Sequence, residues 1–174
     1  NSQDNTFTSL SVNFTITIDL TGAPFLGKEN APVVVALFSD FQCPYCGKVQ
    51  PLLDQVMEKN PETVKIAFKN LPLTNIHNMA EAAALAALAA HNQGKFWQMH
   101  DALFAMNSQL TNEKILAAAK EIGLDMDKFN ADLKSDATKQ KLIKDVMDAR
   151  EGQISGTPAL FVNGRRVNDR SPEA

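Results

Sequence analysis

The chain carries two cysteines, Cys43 and Cys46, and they stand at C-x-x-C spacing within Phe38-Ser39-Asp40-Phe41-Gln42-Cys43-Pro44-Tyr45-Cys46. Thiol-disulfide exchange needs such a pair: one exposed thiolate attacks, and a second thiol close by resolves the mixed disulfide. A run of β-branched and apolar residues precedes the pair (Val33, Val34, Val35, Leu37, Phe38) and a helical pattern follows it (Val49, Leu52, Leu53, Val56, Met57). Cys43 therefore sits where a buried strand hands over to a helix. Pro44 suits the first helical position, where its missing N–H would have been unpaired anyway. The free N–H groups of that helix end, and its dipole, favour a thiolate on Cys43. Pro44 and Tyr45 tune the pair by setting the stiffness of the loop and how many N–H groups meet the sulfur.

The same spacing also fits half of a zinc site or an inert disulfide. Zinc asks for a full tetrahedral ligand set, and beyond the cysteines the chain offers His77, His91 and His100 with no second C-x-x-C. A disulfide closing so short a loop stabilises little through chain entropy. Reactivity accounts for the pair better, and no metal or cofactor is called for. His77 reads as a polar residue at a helix start, and His91 and His100 as surface or helix-packing residues. Phe41 and Tyr45 read either as a peptide-docking surface or as partial core. Arg165, Arg166 and Arg170 read as a solvated edge that discourages strand pairing.

Composition limits the alternatives. With 174 residues, 44% of them apolar, the chain suits one domain, or one domain with a sizeable insertion. Its net charge is −3 and its longest basic run is Arg165-Arg166, so nothing invites a nucleic-acid backbone or an anionic membrane. No apolar run is long enough to span a bilayer. The chain begins at Asn1 rather than Met and is read as a processed or truncated product, from which a secretory signal or anchor could have been removed.

The elements that position the cysteines can be read in order. Residues 1–11 form a polar leader. Val12, Phe14, Ile16, Ile18 and Leu20 alternate with polar residues, which predicts a half-buried strand near a sheet edge. Val33 to Phe38 lacks polar alternation and predicts a central strand covered on both faces. A helix runs on to about Asn60 with Pro51 inside it, and Thr63 to Lys69 alternates as a strand, completing a right-handed β-α-β unit. From His77 to about Arg150 the periodicity is helical only. Its first helix, Met79 to Ala90, is Ala-rich and apolar all round, which predicts an interior position. Phe96 to Met106 follows, and Thr111, Asp125 and Ser135 are expected N-caps. The last of these helices is expected to turn Leu142, Ile143, Val146 and Met147 toward the core. Ala159 to Val162, Asn163-Gly164 and Arg165 to Val167 predict a β-hairpin. Ser171-Pro172 has the form of another helix start.

The arrangement is α/β. With C-x-x-C at the end of a central strand, it resembles a thioredoxin fold carrying an all-helical insertion between the β-α-β half and the β-hairpin half, as in DsbA-like disulfide oxidoreductases. Four separated words carry the resemblance: the cysteine segment, Phe68-Lys69-Asn70-Leu71-Pro72-Leu73, Gly94-Lys95-Phe96-Trp97-Gln98-Met99-His100-Asp101-Ala102-Leu103-Phe104, and Gly156-Thr157-Pro158-Ala159-Leu160-Phe161-Val162-Asn163-Gly164. It extends from about Gly22 to Ala174 and implies a discontinuous thioredoxin-like domain (12–75 and 151–174) around a helical insertion (76–150).

By resemblance, Cys43 is the nucleophile and Cys46 the resolving cysteine. Pro158 is then the cis-proline of the fold, and Thr157, Pro158 and Phe41 line the substrate groove. The family often places a buried acid six positions before the first cysteine, where it helps to move the resolving thiol's proton. Leu37 stands there in this chain, so Asp40 or a water would have to substitute. The implied function is an exported, periplasmic oxidant of cysteine pairs in unfolded or partly folded proteins, monomeric and re-oxidised by a membrane partner. A reductase or isomerase kept reduced by a partner, and a non-catalytic peptide-binding or chaperone module, are the alternatives.

Overall fold

A computed structural model describes residues 14–168. The expected leader, the start of the alternating run at Val12, Arg170 and the helix start at Ser171 lie outside the described residues. Among those described, the strands β1 (Phe25–Leu26), β2 (Val33–Ser39), β3 (Val64–Asn70), β4 (Ala159–Val162) and β5 (Arg165–Arg166) form one sheet in the order β1-β3-β2-β4-β5. β2 is central: it runs parallel to β3, with Leu37 opposite Phe68, and antiparallel to β4, with Leu37 opposite Leu160. Its lack of polar alternation follows from cover on both faces, since Val35 and Leu37 enter one apolar cluster while Ala36 and Phe38 enter another. Helix α1 (Pro44–Lys59) joins β2 to β3, and it keeps Pro51 in its interior.

Between β3 and β4 stand α2 (Ala80–Asn92), α3 (Phe96–Met106), α4 (Asn112–Glu121), α5 (Met126–Lys134) and α6 (Asp136–Glu151). Helix α2 is interior because Ala83, Ala86, Ala87, Ala89 and Ala90 are all fully buried, and methyl-sized side chains let neighbouring helices come close. The three helices that follow α3 begin at side-chain caps: Thr111, Asp125 and Ser135 each accept the backbone N–H three residues on. Asn163 and Gly164, with φ of 47° and 83°, make the two-residue turn between β4 and β5 that matches strand twist.

Two expectations need correction. Among the described residues, the part of the alternating run from Phe14 to Leu20 is not a strand: Thr15 makes an isolated bridge to Arg165, the Ile16 N–H donates to the Gly164 carbonyl, and no ladder follows. Ile16, Ile18 and Leu20 still pack on the core, but the Asp19 carbonyl accepts from Lys69 Nζ instead of a neighbouring strand. The edge strand is instead β1, which lies antiparallel to β3. On α6, Leu142 is buried and Val146 packs on the core, whereas Ile143 and Met147 are 46% and 50% exposed. The buried stripe runs through Thr138, Leu142, Asp148 and Ala149, and a 3.6-residue period carries Ile143 and Met147 off it.

A buried ionic cluster fastens α6 to β3. Lys69 Nζ lies 2.7 Å from Asp148 Oδ2 and 3.1 Å from Asp145 Oδ1, and Asp145 also accepts the Asn70 backbone N–H at 2.9 Å. Burial pushes the Asp145 carboxyl up despite Lys69. Burial pushes Asp148 the same way, but Lys144 and Lys69 outweigh it and hold that carboxyl below its ordinary value.

Candidate active site

Cys43 is the N-cap of α1, in extended conformation, with Pro44 next in the helix. Among the described residues no side chain caps this end, so the positive end of the helix dipole lies next to Cys43. The sequence predicts an exposed attacking sulfur. Cys43 is instead only 4% exposed, because its thiol donates to the Thr157 carbonyl at 3.7 Å and is covered from that side. The Thr157–Pro158 peptide bond is cis. Thr157 is half-buried, Pro158 is buried, and Tyr45 stands out into solvent with the Lys48 ammonium 5.2 Å from its ring centre.

Cys46 is fully buried one turn further along α1, and both cysteines are free. Its sulfur accepts the backbone N–H of Asp40 at 3.5 Å. Burial pushes its thiol up to about 12, against the Thr157 and Ser39 hydroxyls and the Asp40 amide, which favour the anion. Both hydroxyl oxygens are buried without completed hydrogen bonds among the described residues, so they remain available to an anionic sulfur. The two cysteines thus differ: one stands at a helix end facing a carbonyl, the other lies buried where charge is costly.

Asp40 is fully buried, and its carboxylate is occupied. Oδ1 accepts the Gln42 N–H, and Oδ2 accepts the Leu73 N–H and lies 2.8 Å from His77 Nδ1. Its amide, not its carboxylate, meets the Cys46 sulfur. Gln42 extends the link, accepting from the Met79 N–H and donating to Asn78 Oδ1. His77 is therefore more than a polar helix-start residue, because it helps to dock the segment before α2 on the loop before Cys43. Phe41 is not a surface residue. It is 1% exposed and stacks on Phe68 at 5.3 Å between ring centres, so it is core and not a face of a groove.

Sequence reasoning missed Asn107. Its Nδ2 donates to the carbonyls of Phe41 and Cys43, and its backbone holds a φ of 32°. The only sequence signal was an Asn, a residue that tolerates the left-handed region, just past a helix end. Of the two places the sequence allows His100, surface or helix packing, the second is found: its ring sits among Phe41, Phe68, Phe96, Trp97 and Phe104.

The family model described as Thioredoxin matches residues 20–174. Among solved structures, the chain is similar to the thiol-disulfide exchange protein alpha-DsbA2 of Wolbachia pipientis, with 28% identity and a TM-score of 0.75 over 87% of this chain and 83% of that one. It also shares its fold with BdbD of Bacillus subtilis, at 22% identity and a TM-score of 0.79 over 90% of each chain. A curated relative, a protein named Na(+)/H(+) antiporter NhaA 1 of Salinispora arenicola, is 39% identical over 140 residues, 80% of this chain but 21% of that protein. The chain thus spans about a fifth of the length of the curated relatives it matches. The resemblance to DsbA-like oxidoreductases holds in both sequence and fold. The chain belongs to the Thioredoxin family, with the α/β fold of its thiol-disulfide oxidoreductases.

Proposed function

We propose that the chain oxidises cysteine pairs of exported proteins by dithiol-disulfide exchange, with Cys43 as the exchanging sulfur and Cys46 as its internal partner. The observation that carries this reading is the asymmetry of the pair: Cys43 caps α1 against the Thr157 carbonyl, and Cys46 lies fully buried behind it. In the oxidising direction a substrate thiolate attacks the Cys43 sulfur of a Cys43–Cys46 disulfide. A mixed disulfide forms, and Cys46 leaves as a thiolate that takes a proton. The second substrate thiolate then attacks the substrate sulfur of the mixed disulfide and expels the Cys43 thiolate, so two electrons pass to the protein. Re-oxidation by a membrane partner completes the cycle. Pro44 and Tyr45 tune the pair, and Thr157 and Pro158 form the substrate edge.

The helical segment 76–150 acts as an insertion within the thioredoxin-like unit formed by 12–75 and 151–174. The chain works outside the cytoplasm on cysteine-bearing proteins and does so as a monomer. Among the described residues no helix is long and apolar enough to cross a membrane. Equilibration against a glutathione series tests the direction: the oxidant has a midpoint more oxidising than glutathione, and Cys46→Ser accumulates mixed disulfides through Cys43. A midpoint as reducing as that of thioredoxin overturns the oxidant reading in favour of a reductase. A pair inert toward dithiols identifies a binding module.

A further inference from the structure

Residues 93–95 alone join α2 to α3, so the start of α2 and the end of α3 stand together at the open end of the pair. Both reach the turn that carries Cys43. The segment 77–79 entering α2 does so through His77 Nδ1, 2.8 Å from Asp40 Oδ2, and through the Met79 N–H, which donates to Gln42 Oε1 at 2.8 Å. The end of α3 does so through Asn107, the residue that closes the helix. Its Nδ2 donates to the Phe41 carbonyl at 2.9 Å and to the Cys43 carbonyl at 3.3 Å. The Cys43 carbonyl already accepts the Gly47 N–H at 3.3 Å, the first bond of α1, and Asn107 takes its second lone pair.

The backbone of Asn107 is strained to make these bonds. Its φ of 32° and ψ of −97° lie outside the left-handed well that Asn enters readily, in a region that favours glycine. A glycine would close α3 there without strain. What glycine lacks is the amide, and the amide is what reaches the turn. A Cβ on Gly47 would stand 3.7 Å from the same Nδ2, which places the amide against the first turn of α1. Backbone held in a sparsely populated region persists only where the surrounding structure over-determines it, and such residues gather at functional sites.

We propose that Asn107 is a positioning residue of the exchange reaction, fixing the turn 41–43 from the end of α3 and offsetting the charge of two carbonyls beside the reacting sulfur. The proposal rests on the exchange chemistry put forward above. A carbonyl oxygen carries partial negative charge, and the Phe41 and Cys43 carbonyls belong to the turn that holds a sulfur obliged to react as a thiolate. A donor shared between them reduces their repulsion of that charge. It also fixes the backbone from which the sulfur projects toward the Thr157 carbonyl. Asn107 acts through the two carbonyls and not on the sulfur.

The test is oxidation of the reduced full chain by glutathione disulfide, quenched with acid and resolved by mass. In its first step the Cys43 thiolate attacks one sulfur of glutathione disulfide. The bond from Cys43 to glutathione forms, the glutathione S–S bond breaks, and one glutathione leaves as a thiolate that takes a proton. Asn107→Asp keeps the shape of the side chain and replaces its donor by an acceptor, whereas Asn107→Gly removes the side chain and relieves the backbone. Each is expected to slow the first step about 10-fold, the factor set by one hydrogen bond of ordinary strength. Asn107→Gln carries the same amide on a longer stem and is expected to stay within about 3-fold of the parent. Asn107→Gly is also expected to unfold at about the parent's denaturant concentration, because relief of strain offsets the lost bonds. Reactivity lost without stability is the signature of positioning. A first step in Asn107→Gly as fast as the parent's overturns this proposal alone, because charge by itself then accounts for Asn107→Asp. A rate that falls only in step with stability across the three variants marks a structural role and overturns it too. Failure of the parent to form any mixed disulfide overturns the exchange reading and this proposal together. If Asn107→Asp does not fold, Asn107→Gly and Asn107→Gln decide.

Discussion

His77 Nδ1 lies 2.8 Å from Asp40 Oδ2, and through this pair the segment leading into α2 is bonded to the loop that presents the cysteines. Asp40 is fully buried and also accepts two backbone N–H groups, while its own amide reaches the Cys46 sulfur. Removing the carboxylate leaves buried donors without an acceptor. Asp40→Ala is expected to cost about 3 to 5 kcal/mol in denaturant unfolding. His77→Ala removes one donor at a partly exposed position, and its expected cost is about 1 to 3 kcal/mol. Equal losses in the two variants would contradict this account, because it makes Asp40 the shared acceptor and His77 one donor among three.

Phe41 and Tyr45 make the next comparison, since both are aromatic and both flank the cysteines. Phe41 is packed between Phe68 and Phe104, so Phe41→Ala opens a core cavity and is expected to cost about 3 to 5 kcal/mol. Tyr45 is 66% exposed, and Tyr45→Ala is expected to stay within about 0.5 kcal/mol while weakening the binding of a cysteine-containing peptide. Stability and peptide affinity measured on the same two variants separate a core role from a docking role.

The contrast also shows what a linear sequence carries. Cys43, Pro44 and the apolar run before them define a strand-to-helix junction through local chemistry alone, as do the caps at Thr111, Asp125 and Ser135 and the Asn163-Gly164 turn. Relations set by tertiary packing are different. Alternation reports correctly that Ile16, Ile18 and Leu20 pack inward, although Phe14 is 78% exposed, yet strand pairing depends on where the carbonyls go, and Asp19 gives its own to Lys69. Phe41 reads the same in sequence whether it faces solvent or the Phe68 ring. His77 and Asp40 are 37 residues apart, and no spacing rule joins them.

Cys46 gives a titration with a definite direction. With Cys43→Ser leaving a single thiol, alkylation of the native protein is expected to follow a midpoint near 12, because burial is the largest influence on that sulfur. The folded value lies above the ordinary thiol value of 9.0, so the folded state holds this proton more tightly than the unfolded chain. Stability of the reduced protein is then fully present below the ordinary value and falls as pH rises from there through the folded one. A midpoint at the ordinary thiol value, with stability flat over that window, would show that water reaches the sulfur.

Lys69 supports a prediction of opposite sense. It is buried against Asp145 and Asp148, and Lys69→Met leaves both carboxylates without their shared cation. The expected loss near neutral pH is about 3 to 5 kcal/mol. Asp145 is already raised by burial in the parent, and without Lys69 it rises further. A carboxyl whose folded value lies above its unfolded one gains stability as pH falls through the folded value. Asp148 is held low in the parent by Lys144 and Lys69, and its stabilisation is lost as pH falls. Acid therefore weakens the parent at Asp148 while relieving the variant at Asp145. The stability gap between them is expected to narrow as pH is lowered from about 7 to about 4. Denaturant unfolding of both proteins across that range measures it, and a gap that stays constant with pH would mean that the loss comes from packing of the lysine stem and not from its charge.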